Sequence, residues 1–227
     1  MNAISETIVM QSWAAIECRP GRSIRIDGTG GDSTLHDDIS ELLVRWQQGD
    51  SSALDQLMPL VYAELRNLGR FHLRRRPDNS LLQPTALVHE AWLKLARKQH
   101  LDVSSRNQFY ALAARIMRDL LVDHCRRSRA EKRGGSDIHI ALEDANPAQN
   151  ARQLDLLVLD DAIRRLGEIK PRYMQIVEIR FFGGLSIEET AQALNISHAT
   201  VEREWNFARA WLRREFAPAQ ARSVEVL

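Results

Sequence analysis

Residues 184–212, GLSIEETAQALNISHATVEREWNFARAWL, decide how the rest of the chain is read. Ser186 and Glu189 stand at capping-box spacing, where a hydroxyl and a carboxylate satisfy each other's orphan backbone donors at a helix start. That helix runs to Leu194 and meets Asn195, one of the few side chains that tolerates the left-handed conformation used to end a helix. Ser197 then caps a second helix. A short helix, a tight turn and a longer helix predict a helix-turn-helix, whose second helix enters the DNA major groove where the motif binds DNA. On that helix Val201, Trp205, Ala208 and Leu212 recur at one-face spacing and predict an inner stripe. The other face carries Ala199, Arg203 and Asn206, with His198 and Thr200 beside them. Small residues allow close approach, and Arg or Asn pairs bidentately with a guanine or adenine edge. The bland alternative is a helical hairpin with a solvated face.

The 227 residues suffice for two small domains, and the periodicity is helical almost throughout, so the fold class expected is all-α. A net charge of +1 argues against coating nucleic acid by charge alone, because nonspecific affinity scales with the phosphates neutralised. Cys18 and Cys125 lie far apart in no metal-ligand spacing, so neither a disulfide framework nor a zinc site is expected. There is no bilayer-length apolar run and no signal-peptide pattern at the N-terminus, so the expectation is a cytoplasmic protein without membrane insertion.

Residues 1–35, with Pro20, Gly21, Gly28, Gly30 and Gly31, read as a flexible extension, although Ile24 to Ile26 is compatible with a short strand. Periodic structure is expected from Ile39. Leu42, Leu43 and Trp46 form a face, Gly49 and Asp50 end it, and Ser51 or Ser52 is expected to cap the next helix. Arg70 and Arg74 to Arg76 are a basic run. Pro84 favours another start, with Leu87, Ala91 and Leu95 as a stripe. His89 with Glu90 lacks further ligands at metal spacing.

A long helix from about Ser105 to Arg129 should bury Phe109, Leu112, Ala113, Ile116 and Leu120, with Arg115, Arg118, Asp119 and Arg126 on another face. From Phe109 to Gly135, seven basic residues stand against three acidic ones, a local net of +4. Such a helix suits phosphate contacts, and Asn107, Phe109 and Tyr110 are candidates for stacking on or holding an unpaired base. Phe109 serves equally as core. Residues 134–152 read as a flexible linker. Beyond it Leu154, Leu157, Val158, Ala162 and Leu166 form a stripe, Pro171 opens a helix that Gly183 and Gly184 terminate, and Pro218 stops the last one.

These residues carry a resemblance. FYALAARIMRDLLVDHCRRSRAEKR, Phe109 to Arg133, resembles the second conserved region of bacterial sigma factors of the extracytoplasmic-function (ECF) class. IKPRYMQIVEIRFFGGLSIEETAQALNISHATVEREWNFARAWLRREF, Ile169 to Phe216, resembles their fourth. LVRWQQGDSSALDQLMPLVYAELR and LLQPTALVHEAWLKLAR resemble the helices preceding the first of these.

The resemblance implies a promoter-specificity subunit acting with core RNA polymerase. Residues 36–133 would bind the polymerase and the start-proximal (minus-ten) element; residues 153–216 would read the upstream (minus-thirty-five) element, and residues 217–227 would be a tail. Position by position, Leu87, Glu90, Ala91, Trp92 and Leu95 match the polymerase-docking helix. Arg115, Arg118, Asp119, Asp123, His124, Arg126 and Arg127 match the helix that faces promoter DNA, while Asn107 and Gln108 match the loop that holds a flipped base. Ser197, His198, Thr200, Arg203 and Arg209 match recognition-helix positions. An anti-sigma factor is a further partner the resemblance allows. Glu202 and Glu204 stand where the family often has Lys or Arg, which implies a weaker phosphate grip.

The alternative is a one-component helix-turn-helix regulator, for which a homodimer on a palindrome without polymerase would be diagnostic. An enzyme would call for paired carboxylates, a metal cluster or a phosphate-cradling glycine loop, and none stands out in the sequence, so no catalytic residue, cofactor or metal is assigned. Asp123 beside His124 is a coincidence on a basic helix.

Overall fold

The computed structural model describes residues 32–73, 83–97, 103–134 and 147–216, all helix and short connections with no strand among them. In order these are α1 (Asp32–Gln47), α2 (Ser51–Leu73), α3 (Pro84–Ala96), α4 (Arg106–Gly134), α5 (Pro147–Ile169), α6 (Pro171–Val177) continuing as a π-helical segment (Glu178–Phe182), α7 (Ile187–Leu194) and α8 (His198–Phe216). Residues 1–31 of the extension, with Ile24 to Ile26, the Arg74 to Arg76 run, residues 135–146 of the linker, and Pro218 lie outside the described residues, whereas residues 32–35, expected in the flexible extension, are the first turn of α1. No described helix is long and apolar enough to cross a membrane.

The helices group into two compact units that alternate along the sequence. One comprises α1 to α3, α4 as far as Leu120, and residues 178–201; the other comprises α4 from Leu121, α5, α6 and α8 from Glu202. In the first, α1 packs on α2 and α2 on α3. Its interior is filled by Leu43, Leu57, Leu65, Leu87, Leu95, Phe109 and Met117, each fully buried. Burial of this kind contributes about 1.5–3 kcal/mol per large side chain. In the second, α5 packs on α6, and Ile163, Leu166, Val177, Ala208 and Leu212 are fully buried.

Several local expectations are refined. The cap of α2 is Asp50, not Ser51 or Ser52: its carboxylate accepts from the Ser52 backbone N–H at 3.0 Å and from the Ser52 hydroxyl at 2.6 Å. The same carboxylate accepts from Arg45 at 2.7 Å, and the Ser52 and Arg45 bonds hold it at about 2, well below the usual carboxylate range. Gly49 before it has φ +96, a conformation that L side chains rarely adopt. Helix α5 begins at Pro147, so residues 147–152, expected in the linker, are helical. Its buried stripe is Leu159, Ala162, Ile163 and Leu166, with Leu157 and Val158 only half-buried.

Candidate nucleic-acid interface

The turn between α7 and α8 is built as its residues dictate. Glu189 donates its backbone N–H to Ser186 Oγ at 3.1 Å, and Ser186 donates its own to Glu189 Oε2 at 2.8 Å, completing the capping box. Asn195 takes φ 52, and the Ile196 N–H returns to the Ala191 carbonyl at 3.0 Å. Ser197 Oγ then accepts from Thr200 N–H at 3.2 Å and bonds Thr200 Oγ1 at 2.8 Å, opening α8. Orphan backbone groups are thus satisfied at both helix starts and at the end of α7, so the second helix leaves the turn in a fixed direction.

Along α8 the expected inner stripe of Val201, Trp205, Ala208 and Leu212 is buried, and Ala199, Arg203 and Asn206 are exposed. Ser197 and His198 are exposed too, and Thr200 and Arg209 half-exposed. The His198 ring Nε2 lies 3.0 Å from Glu188 Oε1. Glu188's own backbone, the Ser186 side chain and His198 hold that carboxyl below its ordinary value. The two glutamates read as opposing phosphates differ. Glu202 is exposed. Glu204 turns inward, its side chain only 3% exposed, where it accepts from Lys170 Nζ at 2.7 Å and Arg172 Nε at 2.7 Å. The Arg172 hydrogen bonds, aided by Lys170, hold its carboxyl at about 2 despite desolvation. Glu204 therefore anchors α8 to the start of α6 and is withdrawn from the outer face.

On α4, Arg115, Asp119, Asp123, Arg126 and Arg127 are exposed and His124 half-exposed. Arg118 is not. It is 5% exposed and ion-paired with Glu178 of the π-helical segment, so the guanidinium expected on the DNA-facing side is interior in this structure. Burial raises the Glu178 carboxyl, with Arg118 offsetting part of the rise. Arg126, although exposed, reaches Asp160 of α5 at 3.2 Å. A cleft of about 610 Å³ beside that pair is lined by Arg126, Arg129, Arg164, Asp160 and Asp161, in which the acidic residues offset the basic ones.

At the start of α4, Asn107 and Gln108 are both half-exposed. Gln108 Oε1 accepts from Ser104 N–H at 2.9 Å and Ser104 Oγ at 3.2 Å, which pins the loop. Asn107 Nδ2 donates to Gln192 Oε1 at 2.6 Å. Phe109 and Tyr110 are fully buried, so neither stacks on a base in this arrangement. Tyr110 instead underlies the Arg106 guanidinium at 4.8 Å, and Arg106 pairs with buried Glu64 at 2.9 Å. The signal for that pair was present in the sequence: Glu64 interrupts the apolar row Val61, Leu65, Leu68, where an ionised side chain needs a buried partner.

The polymerase-docking match on α3 divides similarly. Leu87, Ala91 and Leu95 belong to the core, while Glu90 and Trp92 are half-exposed. The side of α3 that meets solvent presents His89, Arg97 and Leu93, the last 55% exposed. Among the described residues, no three His, Cys, Asp or Glu side chains are grouped to hold a metal ion.

A search of curated proteins finds no match. A family model for ECF sigma factors matches residues 36–218. Because that match runs through α1 to α8 and is not confined to the helix-turn-helix, the chain belongs to the ECF sigma factor family.

Proposed function

We propose that this protein binds core RNA polymerase in the cytoplasm and directs it to a subset of promoters. Residues 36–133 take the start-proximal element, residues 153–216 the upstream element, and α8 reads base edges in the major groove. The observation that carries this reading is the outward row Ala199, Arg203 and Asn206 on a helix aimed by two caps, in a chain of the ECF sigma factor family. That family serves transcription initiation and is not an enzyme class.

On α4 the exposed Arg115 and Arg127 are the phosphate contacts of this reading, and Asn107 with Gln108, in the first turn of α4, hold the unpaired base. On α3, polymerase docking falls to Leu93, Glu90 and Trp92, which are accessible, with Leu87, Ala91 and Leu95 supporting them from the core. An anti-sigma factor acting on the same surfaces is compatible with the reading.

Run-off transcription with purified core polymerase on fragmented genomic DNA tests it. The expected result is co-elution with core and transcripts from a defined set of fragments. A protein that neither binds core nor changes its promoter choice contradicts the reading.

A further inference from the structure

Helix α8 carries Glu202 and Glu204 two residues apart, and the fold treats them oppositely. Glu204 is drawn inside, where Lys170 and Arg172 hold its carboxylate. Glu202 is exposed. It stands three residues after Ala199 and four before Asn206, and Arg203 stands four after the one and three before the other. Residues three and four apart on a helix are surface neighbours, so these four exposed residues form one compact outward patch. At the turn before it, the exposed Glu188 carboxylate is engaged by His198 at 3.0 Å. Glu202 is thus the carboxylate that the patch itself presents.

A carboxylate in that place has a defined chemistry. When ionised it accepts hydrogen bonds and donates none. A phosphate repels it, so it adds nothing to a grip on the DNA backbone. In the major groove, guanine O6 and N7 and thymine O4 are acceptors that repel it too, while the amino groups of cytosine and adenine are donors. The adenine amino group lies beside the N7 acceptor, whereas cytosine N4 carries the donor without an acceptor beside it on that base. A carboxylate therefore selects cytosine. Ala199, with no side chain beyond Cβ, lets the helix approach closely enough for that contact.

We propose that Glu202 is a specificity-determining residue for the upstream element, accepting from N4 of a cytosine adjacent to the base that Arg203 reads. The assignment rests on the initiation-factor reading above and adds to it one base identity and one mode of exclusion. Guanine and thymine at that position are rejected by repulsion as well as by a missing bond. The charge that weakens general attraction to the duplex thereby sharpens the choice among sequences.

The test uses full-length protein reconstituted with core polymerase on a promoter recovered by the run-off experiment, each base pair of the upstream element being replaced singly by the other three. Wild type should require cytosine at one position, with replacements there lowering transcription roughly fivefold to a hundredfold. Glu202→Ala should abolish that preference and keep the preferences at the other positions. Glu202→Gln should move it to adenine, which an amide pairs bidentately. Both substitutions fall at an exposed position, so thermal stability should match wild type. A change of equal size on every template, shrinking with added salt, marks a charge effect on the backbone and overturns the assignment. So does a base-preference profile that neither variant alters. Wild-type transcription indifferent to every base of the upstream element overturns the initiation-factor reading itself, and the role of Glu202 with it.

Discussion

Helices α4 and α8 both carry arginines on a long amphipathic frame, yet they use them differently. On α8 one side is buried and the other open, so the row Ala199, Arg203, Asn206 faces outward as its spacing requires. On α4 the fully or nearly buried positions include Phe109, Tyr110, Ala114, Met117, Arg118, Leu121, Val122 and Cys125, which wrap most of the helix circumference. Two arginines, Arg106 and Arg118, are drawn inside, and a third, Arg126, is tied to Asp160. The lesson is that local positive charge counts toward a DNA surface only after the cations needed for internal pairing are subtracted.

The largest test concerns the inner faces, where the helices should behave alike. Phe109→Ala and Trp205→Ala each remove a buried aromatic side chain and should cost about 3–5 kcal/mol, read as lowered thermal stability. A cost below about 1 kcal/mol at either site would show that the helix is not packed as described.

Next comes the contrast along α4 itself. Arg118→Ala leaves Glu178 buried without its ion-pair partner and should destabilise by about 3 kcal/mol, whereas Arg115→Ala, exposed three residues earlier, should stay within about 0.5 kcal/mol while lowering transcription. Equal thermal stability of the two variants would erase the distinction between interior and exterior arginines.

Arg203→Ala places the same question on α8. A lost bidentate base contact is worth about 1–3 kcal/mol, so transcription through the upstream element should fall roughly fivefold to a hundredfold with core binding and stability unchanged. Lost core binding would mean that this helix faces the polymerase.

How much of this was legible in the sequence depends on how one-sided each element is. The capping box, the left-handed Asn195 and the Val201 stripe were readable because each is a local rule acting over a few residues. The burial of Arg118 was not, because its partner Glu178 is 60 residues away and lies in a π-helical turn that shifts the register of helical periodicity. The same applies to Glu204, whose partners Lys170 and Arg172 precede it by more than thirty residues. Leu87, Ala91 and Leu95 were read both as a buried stripe and as polymerase contacts; a family match fixes the helix, and only burial separates its docking side from its core side.

The smallest effect sharpens the Glu204 assignment. Its carboxyl is lowered from 4.5 to about 2, so its stabilising contribution is fully present above the ordinary value and is lost as pH falls through about 2. Lys170 and Arg172 remain partly hydrated, so Glu204→Gln should cost only about 1–2 kcal/mol near neutrality. The difference from wild type should shrink between pH 4.5 and about 2 in acid denaturation. A difference independent of pH would show that the carboxylate is not the anchoring group.

The central claim is that two helical modules read two promoter elements while polymerase holds them in register. Inserting about five base pairs, half a helical turn, between the two elements of a responsive promoter displaces one element around the duplex without altering either sequence. The account predicts that run-off transcription by the reconstituted complex collapses on this template and recovers when the original spacing is restored. Transcription that is indifferent to the spacing would contradict it.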